Sequence, residues 1–370
     1  MSQTLDEPIA ALPAPPSRRE LRAALAPLAK PNTALTLGWL TADVLVWLSL
    51  TAATASSTAW GWKLLAGLVA GLWIARLFII GHDACHKPLP AHRKLNRVLG
   101  RIAFLPSPTP YRLWELGHNQ AHHGFTNLRQ RDGVWVPLSA AEYAELPSFR
   151  RALERVYRSG WRPGLYYAIK LWWKKLYFPR PDQGVGQRAA FARDGALVTA
   201  VALVWLGALW AAATLAGTST LQALLFGMVL PLLVWKYLMG FVIYVHRTEP
   251  DVAWCDDRVA WAASLPYLGA TLHLQSPALD TLLHRILQHP AQHLGMTIPF
   301  YRLRGAAAAS TTSPTAGAGA AAHLGLLLAC GSAMQAVQLS AAEVVSVSCA
   351  RAQSQQCRGV GRVGWLDGGR

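Results

Sequence analysis

The chain has 370 residues, of which 52% are hydrophobic and 15% are charged. Soluble domains average about 25% charged residues, so this composition points to a membrane protein and excludes disorder over most of the length. The five cysteines contain no C-x-x-C pair and form no close cluster. This pattern argues against a disulfide scaffold, an iron–sulfur site and a zinc–thiolate site.

The first 33 residues are polar and rich in proline, and they lack the apolar core and cleavage site of a secretory signal. We interpret segment 1–33 as a cytosolic tail. Four later stretches are apolar over about 20 residues, the length that crosses a hydrocarbon core as a helix. They cover residues 34–53, 60–80, 195–215 and 221–244. The sequence therefore predicts an all-α integral membrane protein with four transmembrane helices in two hairpins.

The distribution of basic residues predicts the orientation of these helices. The connections at 56–59 and 217–220 contain no Lys or Arg, whereas the segment 87–193 contains 19 of the 35 basic residues. By the positive-inside rule, the middle segment and both termini are expected in the cytoplasm. The membrane topology then explains the net charge of +16. Because the sequence contains no RRM, KH, helix-turn-helix or zinc-finger pattern, we expect no nucleic-acid partner.

Two further stretches are expected to lie as helices in the membrane interface. Residues 161–178 mix aromatic side chains with three lysines, and residues 258–275 are expected to form a similar helix. A membrane domain at 34–304 is then followed by an atypical low-complexity segment, 305–370, which is rich in small residues. Translation of this segment out of its ancestral frame would explain the change, and an extra span near 323–337 is the alternative.

The spacing of the twelve histidines is the strongest functional signal. Three pairs are separated by four residues, which places both side chains on one face of a helix. The pairs are His82 with His86, His118 with His122, which His123 follows, and His289 with His293. Two imidazoles on successive turns can hold one metal ion, and neutral imidazole suits iron, zinc, copper and nickel.

The predicted topology brings all three pairs to the same membrane face. The first pair follows the second span, the second pair lies in the cytoplasmic middle segment, and the third pair follows the fourth span. Converging imidazoles with few carboxylates and no thiolate describe a nitrogen-rich site for two metal ions. Such a centre could meet a hydrophobic substrate lying alongside or between the helices.

Four motifs resemble one family of membrane enzymes. The motifs GHDACH at 81–86, GHNQAHHGFTN at 117–127 and LLHRILQHPAQH at 282–293 are similar to the three histidine boxes of membrane-bound fatty acid desaturases, in their bacterial branch. RDGVWVPLS at 131–139 extends the similarity, which covers about residues 35–305. The resemblance implies a cytosolic histidine-box cap on the inner membrane of a bacterium. It also implies a non-haem di-iron oxidoreductase that desaturates a fatty acyl chain.

The resemblance also assigns roles to individual side chains. The implied iron ligands are His82, His86, His118, His122, His123, His289 and His293. No catalytic side chain is implied beyond these metal ligands. Asp83 and Asn119 stand next to ligands, and we expect them to fix imidazole tautomers, with helix capping as the alternative. The remaining histidines, His92, His273, His284 and His323, match no box and are interpreted as structural or solvated.

Two motifs depart from the family pattern. The third box of the family is usually H-x-x-H-H, whereas this chain has Gln292 at one of those histidine positions. We expect its amide to be a weak ligand or to hold a bound water, so that Gln292→His would raise iron occupancy. The family often carries an H-T-H-P-like element after the fourth span, where this chain reads HRTEP at 246–250. We expect His246 to be an extra ligand, with a plain interfacial histidine as the alternative.

The resemblance implies two iron ions, molecular oxygen as co-substrate and electrons from an external donor, a ferredoxin or a cytochrome with its reductase. The substrate is then a membrane lipid or an acyl thioester. Two alternatives stay open. One is a histidine-box hydroxylase or ketolase of another lipid, which would share the di-iron site and the membrane plan. The other is a degenerate family member in which Arg247 and Gln292 impair the metal site.

Overall fold

A computed structural model of the chain describes residues 18–87, 92–159, 162–179, 185–247, 254–262 and 276–311. These residues are folded into helices joined by short connections, and within them one isolated parallel bridge joins Leu128 to Cys255. The all-α class expected from the sequence is confirmed.

Four helices are long and apolar enough to cross a membrane. We name them the first to fourth spans, and they cover Thr33–Ser56, Trp60–His86, Arg188–Leu215 and Thr220–Arg247. All four predicted spans are therefore confirmed. The helix of the second span continues six residues beyond the apolar stretch predicted to end at 80, through Gly81 and the polar residues that follow it. It ends at Lys87, whose φ of 65° is left-handed.

Burial separates the lipid-facing helices from the central ones. In the second span 67% of the apolar stretch is buried, against 17% in the first span and 22% in the third. Near the connection between the first two spans, Trp60 and Trp62 are 64% and 56% exposed. Exposed tryptophans at a helix end are typical of the membrane–water interface. The protein is thus an integral membrane protein whose second span lies at the centre of the bundle.

Small residues allow the second and fourth spans to pack closely. A Cβ atom added at Gly71 would lie 2.5 Å from the Cβ of Val234 and 2.8 Å from the carbonyl oxygen of Pro231. Only glycine permits this approach, as is common where membrane helices cross. The contact matters for the site because the second span ends in the first histidine pair and the fourth span ends in His246 and Arg247.

The expected interfacial helix at 161–178 is helical from Pro163 to Tyr177 in the structure, with wider π-helical turns from Tyr167 onward. It packs on the fourth span, where a Cβ atom added at Gly240 would lie 2.2 Å from the carbonyl oxygen of Pro163. Its position in the interface plane stays a prediction. Of the second expected surface helix, 258–262 is helical, and residues 263–275 lie outside the described residues.

Shorter helices complete the described fold between the second and third spans. They cover Arg93–Phe104, Tyr111–Leu116, Ala140–Glu145 and Ser148–Tyr157. After the fourth span the helices Pro277–Leu282, Pro290–Leu294 and Leu303–Thr311 follow. The domain boundary expected at residue 305 falls inside the last of these helices. The remainder of the atypical segment, from residue 312, lies outside the described residues.

Part of the expected N-terminal tail is folded against the end of the domain. The tail contains the helix Arg18–Leu25, in which Arg22 Nε donates to the carbonyl of Leu294 at 3.3 Å. The backbone N–H of Asn32 donates to the hydroxyl of Tyr301 at 2.8 Å. Residues 18–32 therefore belong to the same packed unit as the third histidine box, although their composition predicts a separate tail.

A buried polar network connects the first hairpin to the segment before the third histidine box. Asp43 of the first span pairs with Arg76 of the second span at 2.9 Å, and His284 Nε2 lies 2.5 Å from the other oxygen of Asp43. Arg76 also donates to the carbonyl of Leu282 at 2.7 Å. The exposed fractions of Asp43, Arg76 and His284 are 2%, 7% and 3%. His284 is thus a buried structural residue.

Candidate metal centre

The first histidine pair projects from the last turns of the second span. His82 and His86 are four residues apart in one continuous helix, and their ring centroids are 4.8 Å apart. The spacing rule used on the sequence therefore holds for this pair. Both side chains are buried, with exposed fractions of 4% and 5%.

The second histidine box folds in a way that the sequence does not predict. The helix Tyr111–Leu116 continues as a π-helical turn over Gly117–His122, closed by a bond from the His123 N–H to the His118 carbonyl at 2.9 Å. A π turn holds more residues than an α turn, so side chains four and five positions apart lie on one face. His118 Nε2 and His123 Nε2 are 3.0 Å apart as a result. Single π turns are frequent at functional sites.

The third box surrounds a short helix. His289 precedes the helix Pro290–Leu294, whose first residue is a proline, and His293 stands in its last turn. Proline suits the first helical position because its missing N–H would have no partner there. The two histidine rings have centroids 4.8 Å apart.

The three boxes meet in one cluster with two sets of possible metal ligands. The first group is His82, His118, His123 and His289, and the second group is His122, His123, His289 and His293. Within each group, one ligand atom per residue lies within 4.8 Å of the others. His86 lies beside both groups, with its ring centroid 4.6 Å from that of His123. All seven histidines of the three boxes are therefore brought together.

His246 lies at the edge of this cluster. Its ring centroid is 6.4 Å from that of His289, and its Nε2 lies 3.2 Å from the carbonyl oxygen of Leu287. This nitrogen is therefore engaged by the backbone. The role of His246 as an extra ligand stays a prediction.

Four of the clustered imidazoles are held from behind through their Nδ1 atoms. His82 Nδ1 lies 3.0 Å from Asp83, and His122 Nδ1 lies 3.1 Å from Asp132. The other two contacts are made by uncharged side chains. His293 Nδ1 lies 2.8 Å from Thr126 Oγ1, and His289 Nδ1 lies 2.9 Å from Gln292 Oε1. A partner on one ring nitrogen fixes the tautomer and leaves the other nitrogen to bind metal. The arrangement leaves Nε2 of His82, His289 and His293 to bind metal, whereas Nε2 of His122 is also contacted by Arg247 at 3.2 Å.

Gln292 has a different place from the weak ligand expected for it. Its oxygen lies 2.9 Å from His289 Nδ1, while its nitrogen donates to Asp83 at 2.9 Å and to the carbonyl of Ile298 at 3.0 Å. The side chain is fully buried. Its amide therefore joins the first box to the third box and orients His289, because both ends of the amide already have protein partners.

Asp83 and Asn119, expected to fix imidazoles, differ in what they contact. Asp83 contacts His82 and Gln292, and its second oxygen accepts from the Phe300 N–H at 2.5 Å. Asn119 donates to the carbonyl of Cys85 at 2.8 Å. It ties the second box to the end of the second span, and its role in fixing an imidazole stays a prediction.

The clustered imidazoles are expected to be neutral at neutral pH. Burial lowers the pKa of His118, His123, His289 and His293 well below the usual value, and neighbouring imidazoles lower it further. A neutral imidazole keeps a lone pair for a metal ion. The cluster therefore presents its ligand atoms without first having to lose protons.

Arg247, the last residue of the fourth span, reaches into this cluster. Its Nη2 lies 3.0 Å from Asp132 and 2.6 Å from His122 Nδ1, and its Nη1 donates to Asn127 Oδ1. Burial alone would raise the pKa of the Asp132 carboxyl, but Arg247 and His122 outweigh it and lower that pKa to about 2. Asp132 is therefore an anion that binds both a guanidinium and an imidazole. Arg247 itself is only 7% exposed.

The donor set fits a metal centre. Both ring nitrogens of His86 and the Nδ1 of His123 are buried without a hydrogen-bond partner among the described residues. Buried polar atoms normally have a partner, so these nitrogens suit a cation that would complete the arrangement. An all-imidazole set suits iron, zinc, copper or nickel.

A cavity of about 700 Å³ opens onto the cluster. One part of its wall is formed by imidazoles of all three boxes, and another part by apolar side chains of the second and fourth spans and of the helix beginning at Pro163. The apolar lining includes Phe78, Ile79, Leu113, Trp114, Tyr167, Leu171, Met239, Val242 and Ile243. The cavity therefore joins a possible metal centre to a site for an apolar ligand.

Several side chains of the centre were missed by the sequence analysis. Asp132 and Thr126 hold two of the histidines, and the Trp114 ring stacks on His118 with centroids 4.1 Å apart. A signal existed for Asp132, since it lies in the RDGVWVPLS motif. Thr126 lies in the GHNQAHHGFTN motif, which is a signal of the same kind. For Trp114 the sequence holds no comparable signal, because an isolated Trp near a helix has many ordinary roles.

Comparison with known proteins gives a consistent result. The model of the fatty acid desaturase family matches residues 58–319. The sn-1 oleoyl-lipid 12-desaturase of Picosynechococcus sp. is 28% identical over 239 residues, which are 64% of this chain and 65% of that protein. The corresponding protein of Anabaena variabilis is 29% identical over 247 residues, 66% and 67% of the two chains.

A plant protein is similar to the same extent. The chloroplastic omega-6 fatty acid desaturase of Spinacia oleracea is 28% identical over 256 residues, 67% of this chain and 52% of that protein. The chain thus spans about half to two thirds of the length of the curated relatives it matches. Because the family model covers well over half of the sequence, the chain belongs to the fatty acid desaturase family.

Proposed function

We propose that this protein is an enzyme that desaturates a fatty acyl chain with molecular oxygen at a histidine-ligated di-iron centre. The observation that carries the proposal is the cavity of about 700 Å³ in which candidate ligands and apolar side chains share one wall. Pockets for small ligands range from about 300 to 1,000 Å³, and an acyl chain is an apolar ligand for such a space. The relatives named oleoyl-lipid 12-desaturase support the same activity.

The first and second histidine groups would each hold one iron, with His123 and His289 lying where the groups meet. When bound, the irons would supply the oxygen-dependent redox chemistry that no side chain provides. The chain supplies position and environment. Asp83 and Asp132 orient His82 and His122, so that the ligand nitrogens are held in place before any substrate enters.

The apolar wall of the cavity has two tasks in this proposal. Phe78, Leu113 and Met239 would exclude water and align one pair of methylene groups with the metal centre. The overall reaction then balances as follows. Two hydrogens leave adjacent carbons to form the double bond, and together with two electrons and two protons they reduce one oxygen molecule to two waters. The electrons would come from a separate ferredoxin or cytochrome with its reductase, and the acyl group from a membrane lipid or a thioester.

Fatty-acid methyl-ester analysis tests the activity. A bacterial host that makes this protein together with an electron donor system is expected to accumulate a fatty acid with one more double bond than the host alone. The product should require air, because molecular oxygen is a substrate. The same host grown without air, and the same host with an empty vector, serve as controls. Hydroxy or keto lipids in place of the olefin would favour the hydroxylase or ketolase. A purified protein that does not hold both metals and yields no product would favour the degenerate family member.

We also propose that the histidine boxes and both termini face the cytoplasm of a bacterial cell. The proposal rests on the 19 basic residues between 87 and 193 and on the uncharged connections at the other ends of the spans. A reporter fused after Gly160 is expected to be active only in the cytoplasm, and one inserted in the connection at 217–219 only outside. The reverse pattern would contradict this orientation.

A further inference from the structure

We infer that Arg247 competes with metal for His122, so that the first histidine group binds its metal more tightly than the second group does. The inference rests on the metal centre of the proposed function and adds a property of this chain to it. It concerns a side chain at which the sequence departs from the family pattern.

The contact between Arg247 and His122 is close and buried. Arg247 Nη2 lies 2.6 Å from Nδ1 and 3.2 Å from Nε2 of the same ring, so the guanidinium touches both nitrogens that could bind a metal. The pair with Asp132 at 3.0 Å and the bond to Asn127 hold the guanidinium in this place. His122 and Arg247 are 5% and 7% exposed, so water screens the contact little.

The position of the guanidinium explains the competition. His122 can bind a metal through Nε2 only if its remaining proton is on Nδ1, where it would face Asp132. Arg247 Nη2 lies within 3.2 Å of both ring nitrogens, which a donor in the plane of the ring cannot do, so the guanidinium lies over the face of the ring. A permanent positive charge at this place repels a cation bound to Nε2.

The first histidine group has a different neighbour. Its member His82 lies against the carboxylate of Asp83 at 3.0 Å, which favours the ligating tautomer and a bound cation. The members of the second group that the first group lacks are His122 and His293. His122 also faces a carboxylate, that of Asp132, but Arg247 pairs with this carboxylate at 3.0 Å and offsets its charge. The difference in charge beside His82 and His122 therefore predicts unequal binding of metal by the two groups.

Metal titration of the purified full-length protein tests the inference. The metal-free protein in detergent is titrated with Fe(II) without oxygen, against a chelator of known affinity, and iron per chain is counted. The wild-type protein is expected to bind one iron at least about tenfold more tightly than the second, in the 10- to 100-fold range typical of groups that surround ligands. In Arg247→Gln, which loses the charge but keeps a polar side chain, the two affinities should lie within about a factor of three. Arg247→Lys, which keeps a charge, should retain most of the difference.

Each result either supports or overturns the inference. Two irons of equal affinity in the wild-type protein, or an unchanged ratio in Arg247→Gln, would overturn it. If Arg247→Gln fails to fold, His122→Ala provides the test. This variant should lose only the more weakly bound iron. Loss of the more tightly bound iron, or no change in iron binding, would overturn the inference. The fatty-acid analysis tests the proposed function separately. Unsaturated product from a protein that binds two irons with equal affinity would refute the inference and leave the proposed function standing. Unequal binding without any product would count against desaturation alone.

Discussion

Replacement of His289 by alanine is expected to remove both bound metals and to abolish the unsaturated product. His289 belongs to both candidate ligand groups, so no division of the ligands leaves either group complete without it. Substitutions that only surround a metal ligand cost about 10- to 100-fold in metal affinity, and the loss of a ligand common to both groups should exceed that range. Metal per chain and fatty-acid composition, measured on the same cells, provide the two readings.

His92→Ala is the matched control for this experiment. His92 is exposed, precedes the helix Arg93–Phe104 and belongs to neither candidate ligand group. The control should keep the metal content, the product and the elution profile of the wild-type protein in detergent. Retention of two metals in His289→Ala would remove His289 from the candidate centre, and retention of product would contradict the proposed catalytic role of that centre.

Replacement of Gln292 by leucine or by histidine is expected to weaken metal binding about 10- to 100-fold. The amide makes three contacts at once, to His289, Asp83 and the carbonyl of Ile298. Leucine makes none of these contacts. Histidine has only two ring nitrogens in a rigid ring, so it cannot reproduce one acceptor and two donors from a fully buried position. The histidine-box pattern alone predicts the opposite for Gln292→His, namely higher iron occupancy.

Gln222→Leu serves as the control for Gln292→Leu, because Gln222 lies at the other end of the fourth span. Iron titration of the three variants and the wild-type protein should show a loss of affinity only at position 292. If Gln292→His instead binds more iron than the wild-type protein, the position is a ligand position, as the histidine boxes of the family suggest. Equal affinity in all variants would show that the network around His289 does not control binding.

The sequence predicts those features that depend on neighbouring residues. Each span is a local property of about 20 consecutive side chains, and the pair His82 with His86 follows from the repeat of one helix. The pair His289 with His293 is also close in sequence, with His289 next to the start of a five-residue helix and His293 inside it. The helix of the second span extends six residues past its predicted apolar stretch, because hydropathy falls at the first box while the helix continues.

The convergence of the three boxes was predicted from topology, but individual contacts between distant residues were not. Arg247 meets His122 across 125 positions, and Gln292 meets Asp83 across 209 positions. No local pattern encodes such contacts, since they arise only when the spans and the boxes pack together. The π turn at the second box was missed for another reason. Its sequence is compatible with an ordinary helix, and the choice between the two is made by the packing of His118 and His123 in the cluster.

The pair formed by Asp43 and Arg76 has a consequence for the synthesis of this protein. Insertion of one Asp or Arg at the centre of a membrane helix costs about 2.5–3.5 kcal/mol, so either span alone would enter the bilayer at a disadvantage. The two residues are 33 positions apart and form a buried ion pair, which offsets part of this cost when the two spans insert as a hairpin. His284, 241 positions after Asp43, is translated much later and reaches the same carboxylate. The carboxylate that helps the first hairpin into the membrane thus also anchors the last part of the metal centre to be made.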